Sequence, residues 1–301
     1  MMRFGLCCIF KEQPIKFRRT TAKFLAKFPL QDQRERLADL CLSNAQNLTK
    51  ALEFCHQNNI GDFRINSQIL PLKTHPEIGY DIKDLPHSDR IIKTFKACGA
   101  FSKKFNIRTT FHPDQFIILS SPNPDVVRRS IADLEYQAQV AKWVNADVIN
   151  IHAGGVYGDK VSALKRLKRT IESLSDPVRK RLTLENDDKS YSPDDLLPIC
   201  SEMEIPLVYD VHHHRCLPDR FSVEEATSQC IRTWDREPLF HLSSPKNGWD
   251  SSDTRKHHDY IDINDLPESW LSMDITVEVE AKAKELAISK LMKQINMSRS
   301  K

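Results

Sequence analysis

Residues 146–152 read ADVINIH, a short β-branched run that ends on a histidine. Seven residues are too few for a core helix, and the Val and Ile content favours a buried strand. Side chains alternate along a strand, so Ile149 and Ile151 share one face while Asn150 and His152 share the other. If the isoleucines pack outward against helices, Asn150 and His152 point inward. RLTLEN at 181–186 repeats the arrangement, with Leu182 and Leu184 outward and Glu185 inward. DITVEVE at 274–280 repeats it again, with Val277 and Val279 outward and Glu280 inward.

Working outward from these three, similar segments lie at 3–8 (RFGLCC), 62–66 (DFRIN), 107–112 (IRTTFH), 205–210 (IPLVYD) and 237–242 (EPLFHL). Helical patterns separate them. The region 32–59 carries Leu37, Leu40, Cys41, Leu48, Leu52 and Cys55 at helical spacing, with Asp32 and Glu35 as a capping box and Gly61 as a stop. Further helices are expected near 88–105, 124–145 and 160–174. Another follows Ser192, with Pro193 in its first turn and Asp195 behind it. Ser222 with Glu225 opens the next, a short one lies near 263–271, and the last covers 282–294. Eight strands alternating with helices predict an α/β chain folded as a single-domain (β/α)8 barrel, a TIM barrel, over 1–295, with a polar tail at 296–301. The competing open doubly wound sheet needs a Gly-rich phosphate loop after its first strand. None is present, and the whole chain has only eight glycines.

Composition narrows the class. Of the 301 residues, 40% are apolar and 28% charged, which fits one well-cored domain without a membrane span. The N-terminal MMRFGLCCIFKEQ has too short an apolar stretch for a signal peptide, so the expected compartment is the cytoplasm. The eight cysteines are scattered without a CxxC pair and read as reduced, mostly structural thiols. A net charge of +3 permits nucleic acid and proves nothing, because a local basic face is what matters.

The positions of the metal-ligating residue types point further. His112, His152, Glu185, Asp210, His241 and Glu280 each end a predicted strand, from the third to the eighth. Strand C-termini converge on one face of this barrel, where its active sites sit. Buried carboxylates without a counter-charge are costly, and a cation removes the penalty. Mixed His and carboxylate donors suit Mn²⁺, Zn²⁺ or Fe. His75 from the loop after the second strand, His213 three residues after Asp210, and His257 beyond the seventh strand extend the set, enough for two or three ions. Such clusters hold both the attacking and the leaving oxygen in phosphodiester hydrolysis. Of the run His212–His214, the Asp-x-x-His spacing selects His213. His56 and His87 are read as structural. Glu278 lies one layer deeper and is expected to pair with an inward Arg such as Arg64. Lys11, Lys16, Arg18, Arg19, Lys160 and Lys246 are candidates for phosphate contact, and the run Lys165, Arg166, Lys168 and Arg169 is read as a solvated helix face.

The motifs THPE (74–77), FHPDQF (111–116), NIHAGGVYGDK (150–160), LTLENDDKSY (182–191), YDVHHH (209–214), FHLSSPK (240–246), HHDYID (257–262) and VEAKAKE (279–285) together resemble the UV damage endonuclease family, in the same order. The resemblance implies a TIM barrel related to endonuclease IV and sugar isomerases. It also implies a divalent cluster of two or three ions, usually Mn²⁺ with Zn²⁺, Mg²⁺ or Co²⁺ as alternatives, and nicking on the 5′ side of UV photoproducts in damaged double-stranded DNA. The ligands it implies are His75, His112, His152, Glu185, Asp210, His213, His241, His257 and Glu280, with Glu185, Glu280, Asp210 and His241 expected to carry catalysis in a monomer. Gln115 and Phe116 match the pair that family members insert opposite the lesion, where a wedge unstacks and kinks a weakened step. The chain departs from the family at three places. Phe116 replaces a frequent Tyr, Leu239 replaces a frequent Lys two residues before the strand-seven His, and LCCIF at 6–10 replaces a segment with an Asn and often a Tyr. The competing functions are a sugar isomerase or epimerase, an abasic-site endonuclease of endonuclease IV type, and a non-catalytic DNA-binding relative.

Overall fold

The computed structural model describes residues 2–299. Eight strands are present: β1 Arg3–Cys7, β2 Asp62–Ile65, β3 Arg108–Phe111, β4 Val148–His152, β5 Leu182–Glu185, β6 Leu207–Asp210, β7 Leu239–Leu242 and β8 Thr276–Val279. They close in sequence order into one barrel of parallel strands. Each lies within the segment expected of it. The register aligns the strand ends: His152 sits beside Glu185, Asp210 beside His241, and His241 beside Glu278.

The alternation places two different surfaces on each strand. Ile149, Ile151, Leu182, Leu184, Val277 and Val279 are buried in the large core between barrel and helices. The barrel interior is a separate compartment. On one side Val148, Val208 and Leu239 form their own apolar cluster, closed by Trp234. On the other side Asp62, Arg64, Thr110 and Glu278 fill the space. Gly5 belongs to this crowded half, because a Cβ there would collide with the Asp62 carboxylate and lie 3.0 Å from Glu278 Cγ.

The helices largely follow expectation. Ser192 opens Pro193–Met203, its N–H donating to Asp195 at 3.0 Å. Ser222 and Glu225 exchange bonds of 2.8 and 3.2 Å at the start of Val223–Ile231. Four helix expectations are corrected. The long helix starts at Leu30 after Pro29, so Asp32 lies inside its first turn rather than at its cap. It ends at Gln57 with Asn58 as its cap, and Asn59 takes the left-handed conformation expected near a stop. Gly61 serves close approach instead, since a Cβ there would lie 2.7 Å from Arg3 Cβ. The expected short helix near 263–271 is two 3-10 turns, Ile263–Asp265 and Glu268–Ser272. The last helix runs Glu285–Arg299, past the expected end at 294. Residues 300 and 301 of the expected tail lie outside the described residues.

Candidate metal centre

Glu185 stands at the middle of the barrel mouth. It is 1% exposed, and Asn150 Nδ2 donates to its Oε2 at 2.5 Å. Thr183 in turn donates to Asn150 Oδ1 at 2.9 Å, which fixes the amide. Four imidazoles surround the carboxylate. His112 Nε2 lies 2.9 Å and His152 Nε2 3.9 Å from Oε2, while His241 Nδ1 lies 3.0 Å and His213 Nδ1 3.5 Å from Oε1.

Three groups of donor atoms are close enough to hold an ion: His112 with His152 and Glu185, His112 with His241 and Glu280, and Glu185 with Asp210 and His213. Shared members make one continuous cluster. Asp210 is fully buried and doubles as the N-cap of a short helix, Val211–Cys216, because its Oδ1 accepts the His213 N–H at 2.8 Å. Thus Asp-x-x-His is both a cap and a pair of donors on one side. Asn186 supports the turn. Its side chain bonds both backbone groups of Asp210 at 2.9 Å, and its carbonyl faces His213 Nδ1 at 3.0 Å.

The electrostatics are unbalanced without a cation. Asp210 Oδ2, His112 Nδ1 and His152 Nδ1 are buried without a hydrogen-bond partner, which a bound ion and water would supply. Burial opposes the charge of Glu185, but His241, His152 and His112 outweigh it and hold the carboxyl well below its ordinary range. The reciprocal effect appears on His213. Burial works against its charge, yet Asp210, Glu185 and Glu280 raise it to about 9. His241 is pushed up despite burial because it lies between Glu185 and Glu278, the latter 3.1 Å from its Nε2. For His152 burial wins, so its ring stays neutral with a lone pair to give. His213 and His241 therefore hold protons beside the carboxylates.

Arg64 completes the other half. It pairs with Glu278, as expected, and also with Glu280 at 2.5 Å, which was not foreseen. Burial opposes ionisation of Glu278, but Arg64 and His241 bring it down to about 2. Asp62 is the opposite case: burial and the neighbouring Glu278 raise it, so it is held protonated.

The remaining expected residues are distributed unevenly. His257 Nδ1 lies 3.6 Å from Glu280 Oε2, at the edge of the cluster. His75 is outside the three close groups. Its Nδ1 accepts from the Glu77 and Ile78 N–H groups, and it shares a cavity with Phe116. His212 packs on Trp249 and His257, while His214 bonds Tyr209 and Asp219. His258 bonds the backbone of Tyr260. Gln115 and Phe116 border a cavity of about 500 Å³ shared with His112, His152, Arg64 and Arg19, and Phe116 is 74% exposed. Leu239 is buried against Val148 and Val208 beneath the cluster.

Lys160 stays part-exposed and pairs with Asp195 at 2.8 Å. One reading of a basic residue is corrected. Arg166 is no solvated side chain, because its Nε donates to the Ser120 carbonyl at 2.9 Å and its guanidinium lies over Tyr157. Arg64, Asn150 and Asn186 carry more of the site than the sequence assigned them. Their signal was available: each occupies an inward position or immediately follows an inward carboxylate.

Comparison with known proteins agrees with this geometry. A family described as UV-endonuclease UvdE matches residues 2–300. A UV DNA damage endonuclease of Bacillus velezensis is 33% identical, across 99% of this chain and 95% of that protein. A Bacillus cereus protein of the same name is 30% identical, across 91% and 87%. The crystal structure of SacUVDE superposes with a TM-score of 0.87 at 28% identity, covering 99% of both chains. Endonuclease IV from Thermus thermophilus reaches 0.62 at 13% identity, a likeness of fold alone. From its second residue to its last helix, the chain belongs to the UV-endonuclease UvdE family.

Proposed function

We propose that the chain is a metal-dependent DNA-repair endonuclease that nicks duplex DNA on the 5′ side of UV photoproducts. The observation that carries this reading is the overlap of the three donor groups around Glu185, beside an aromatic side chain left in solvent. The donor set is nitrogen and oxygen only, which suits Mn²⁺ first among Mn²⁺, Zn²⁺, Mg²⁺ and Co²⁺, in two or three positions. Bound ions supply the positive charge that hydrolysis of a phosphodiester requires. His112, His152, Glu185, Asp210, His213, His241 and Glu280 would hold them, with His257 at the edge of the cluster and His75 in a neighbouring loop as further ligands. Glu185, Glu280, Asp210 and His241 are the residues that carry catalysis.

The protein contributes placement and selectivity. Asn150 and Asn186 hold Glu185 and Asp210 in position, and neutral His152 offers its lone pair. Phe116 stacks into the opened duplex while Gln115 meets the exposed base edges. A photoproduct lowers the energy needed to open its step, so a wedge of this kind selects it. The partner is damaged double-stranded DNA, met by a monomer. Eight free thiols accord with a reducing compartment such as the cytoplasm.

The test is nicking of a duplex with a single cyclobutane dimer, beside undamaged and abasic duplexes, with Mn²⁺ and with EDTA. A Mn²⁺-dependent cut immediately 5′ of the dimer is expected. Cutting of the abasic duplex alone would move the chain to endonuclease IV-type chemistry. No cutting of any duplex by metal-loaded protein would return it to sugar substrates.

A further inference from the structure

The motif VEAKAKE ends in a glutamate that the metal centre does not use. Glu285 opens the last helix and is buried, and its carboxylate accepts from three successive backbone groups. Lys11 N–H donates to Oε2 at 2.8 Å, and the N–H groups of Glu12 and Gln13 donate to Oε1 at 2.8 and 3.3 Å. Three backbone donors on one buried side chain hold this end of the loop firmly. The other end is held from the long helix Leu30–Gln57. Buried Asn44 takes the Arg18 N–H at 2.7 Å and donates to the Arg18 carbonyl at 3.0 Å. Asn47 donates to the Lys16 carbonyl at 2.8 Å, and Ile15 is buried. A connection without regular structure is usually a mobile one. This one is fixed at both ends and in its middle by neighbouring elements.

What it presents is charge. Lys11, Lys16, Arg18 and Arg19 are exposed, and among the described residues none of these side chains has a hydrogen-bond or ion-pair partner. Glu12 is the one acid between them. Holding four unpaired cations on one anchored segment gains the free protein nothing and adds repulsion. A polyanion would satisfy them, and a rigid line loses little entropy on binding one. The line leads to the reactive mouth: Arg19 borders the cavity of His112, Gln115 and Phe116, and Thr20 borders that of His75.

We propose that residues 11–19 form a preformed rail for the phosphate backbone of the duplex, with Glu285 and Asn44 as positioning residues that hold it in register with the metal centre. The proposal rests on the endonuclease reading and adds the path by which the substrate is led in.

The experiment compares full-length Mn²⁺-loaded wild type with a triple rail variant, Lys11→Ala with Arg18→Ala and Arg19→Ala, and with Glu285→Ala in both backgrounds. Steady-state nicking of the dimer duplex gives KM and kcat, and duplex affinity in EDTA gives the salt dependence. The rail variant should raise KM about tenfold or more with kcat changed less than about twofold, and flatten the plot of log affinity against log salt by about 0.9 for each phosphate that is no longer neutralised. Glu285→Ala should raise KM in the wild-type background and add little once the rail cations are gone, with Glu285→Gln intermediate. If Glu285→Ala does not fold, Glu285→Gln and the exposed rail variant still decide. Normal nicking by wild type with an unchanged salt slope in the rail variant overturns the rail alone. An equal KM effect of Glu285→Ala in both backgrounds reduces Glu285 to a structural residue. Wild type that neither nicks nor binds any duplex overturns the endonuclease reading as well.

Discussion

The barrel interior has two halves, and they handle charge in opposite ways. On the β1–β3 and β8 side, Glu278 and Glu280 are neutralised from within by the Arg64 guanidinium. On the β4–β7 side the layer beneath the mouth is Val148, Val208 and Leu239, with no charge at all. Above that apolar layer stand Glu185 and Asp210, whose only basic neighbours within ion-pair distance, among the described residues, are histidines. One half is neutralised by the protein's own guanidinium. The other half gathers donor atoms that could hold a cation. Leu239 lies in this half, so the layer beneath Glu185 and Asp210 adds no positive charge of its own.

The largest effect should come from Glu185→Gln. It removes the carboxylate common to two of the three donor groups. Loss of Mn²⁺ binding and a fall in nicking of more than about a hundredfold are expected, beyond the 10–100-fold typical of residues that merely support a ligand. Retained Mn²⁺ affinity by calorimetry would show that the two halves do not differ as described.

Arg64→Gln sharpens the contrast from the opposite side. It leaves buried Glu278 and half-buried Glu280 without their guanidinium, and removal of one partner of a buried pair costs about 3–5 kcal/mol. The metal-free variant should melt far below wild type, and Mn²⁺ should restore more of its stability than it adds to wild type. Equal Mn²⁺ effects on both proteins would count against the pairing.

The metal-free protein should also respond to pH in a specified direction. His213 is raised to about 9 when folded, against an ordinary value of 6.5. Its protonated form therefore stabilises the fold fully below about 6.5, and that contribution, of the order of 3 kcal/mol taken alone, is lost as pH rises through about 9. His241 shifts the same way. Thermal melts in EDTA should fall between pH 6 and 9.5, and saturating Mn²⁺ should remove or reverse the trend. A melting temperature that rises with pH in EDTA would contradict the assignment.

The smallest effect is expected from Asn150→Ala. Asn150 only orients Glu185, so Mn²⁺ affinity should drop about 10–100-fold while the fold survives. An unchanged Mn²⁺ titration would mean that the histidines alone hold Glu185 in place.

The strands were legible because each one alternates between an apolar outer face and a polar inner face, as VINIH and LTLE do. The donors were legible because polar residues turned inward at strand ends are costly to bury unless they bind something there. The capping at Asp32 was misread because Pro29 sets the helix one turn earlier, and no local pattern outranks that. The helix Val211–Cys216 escaped notice because its cap, Asp210, had already been assigned as a ligand. The pairings of Lys160 and Arg166 were not legible for a different reason: their partners, Asp195 and the Ser120 carbonyl, are 35 and 46 residues away in sequence. Arg64 was seen as one pair and acts in two, because β8 brings Glu278 and Glu280 up beside β2 across the closure of the barrel.

The most direct test of the central claim is an anomalous difference map from crystals of the Mn²⁺-loaded protein. The account predicts a peak within ligating distance of Glu185, Asp210 and His213 on the half that lacks its own cation. A Mn²⁺-binding protein with no peak at Glu185 would contradict it.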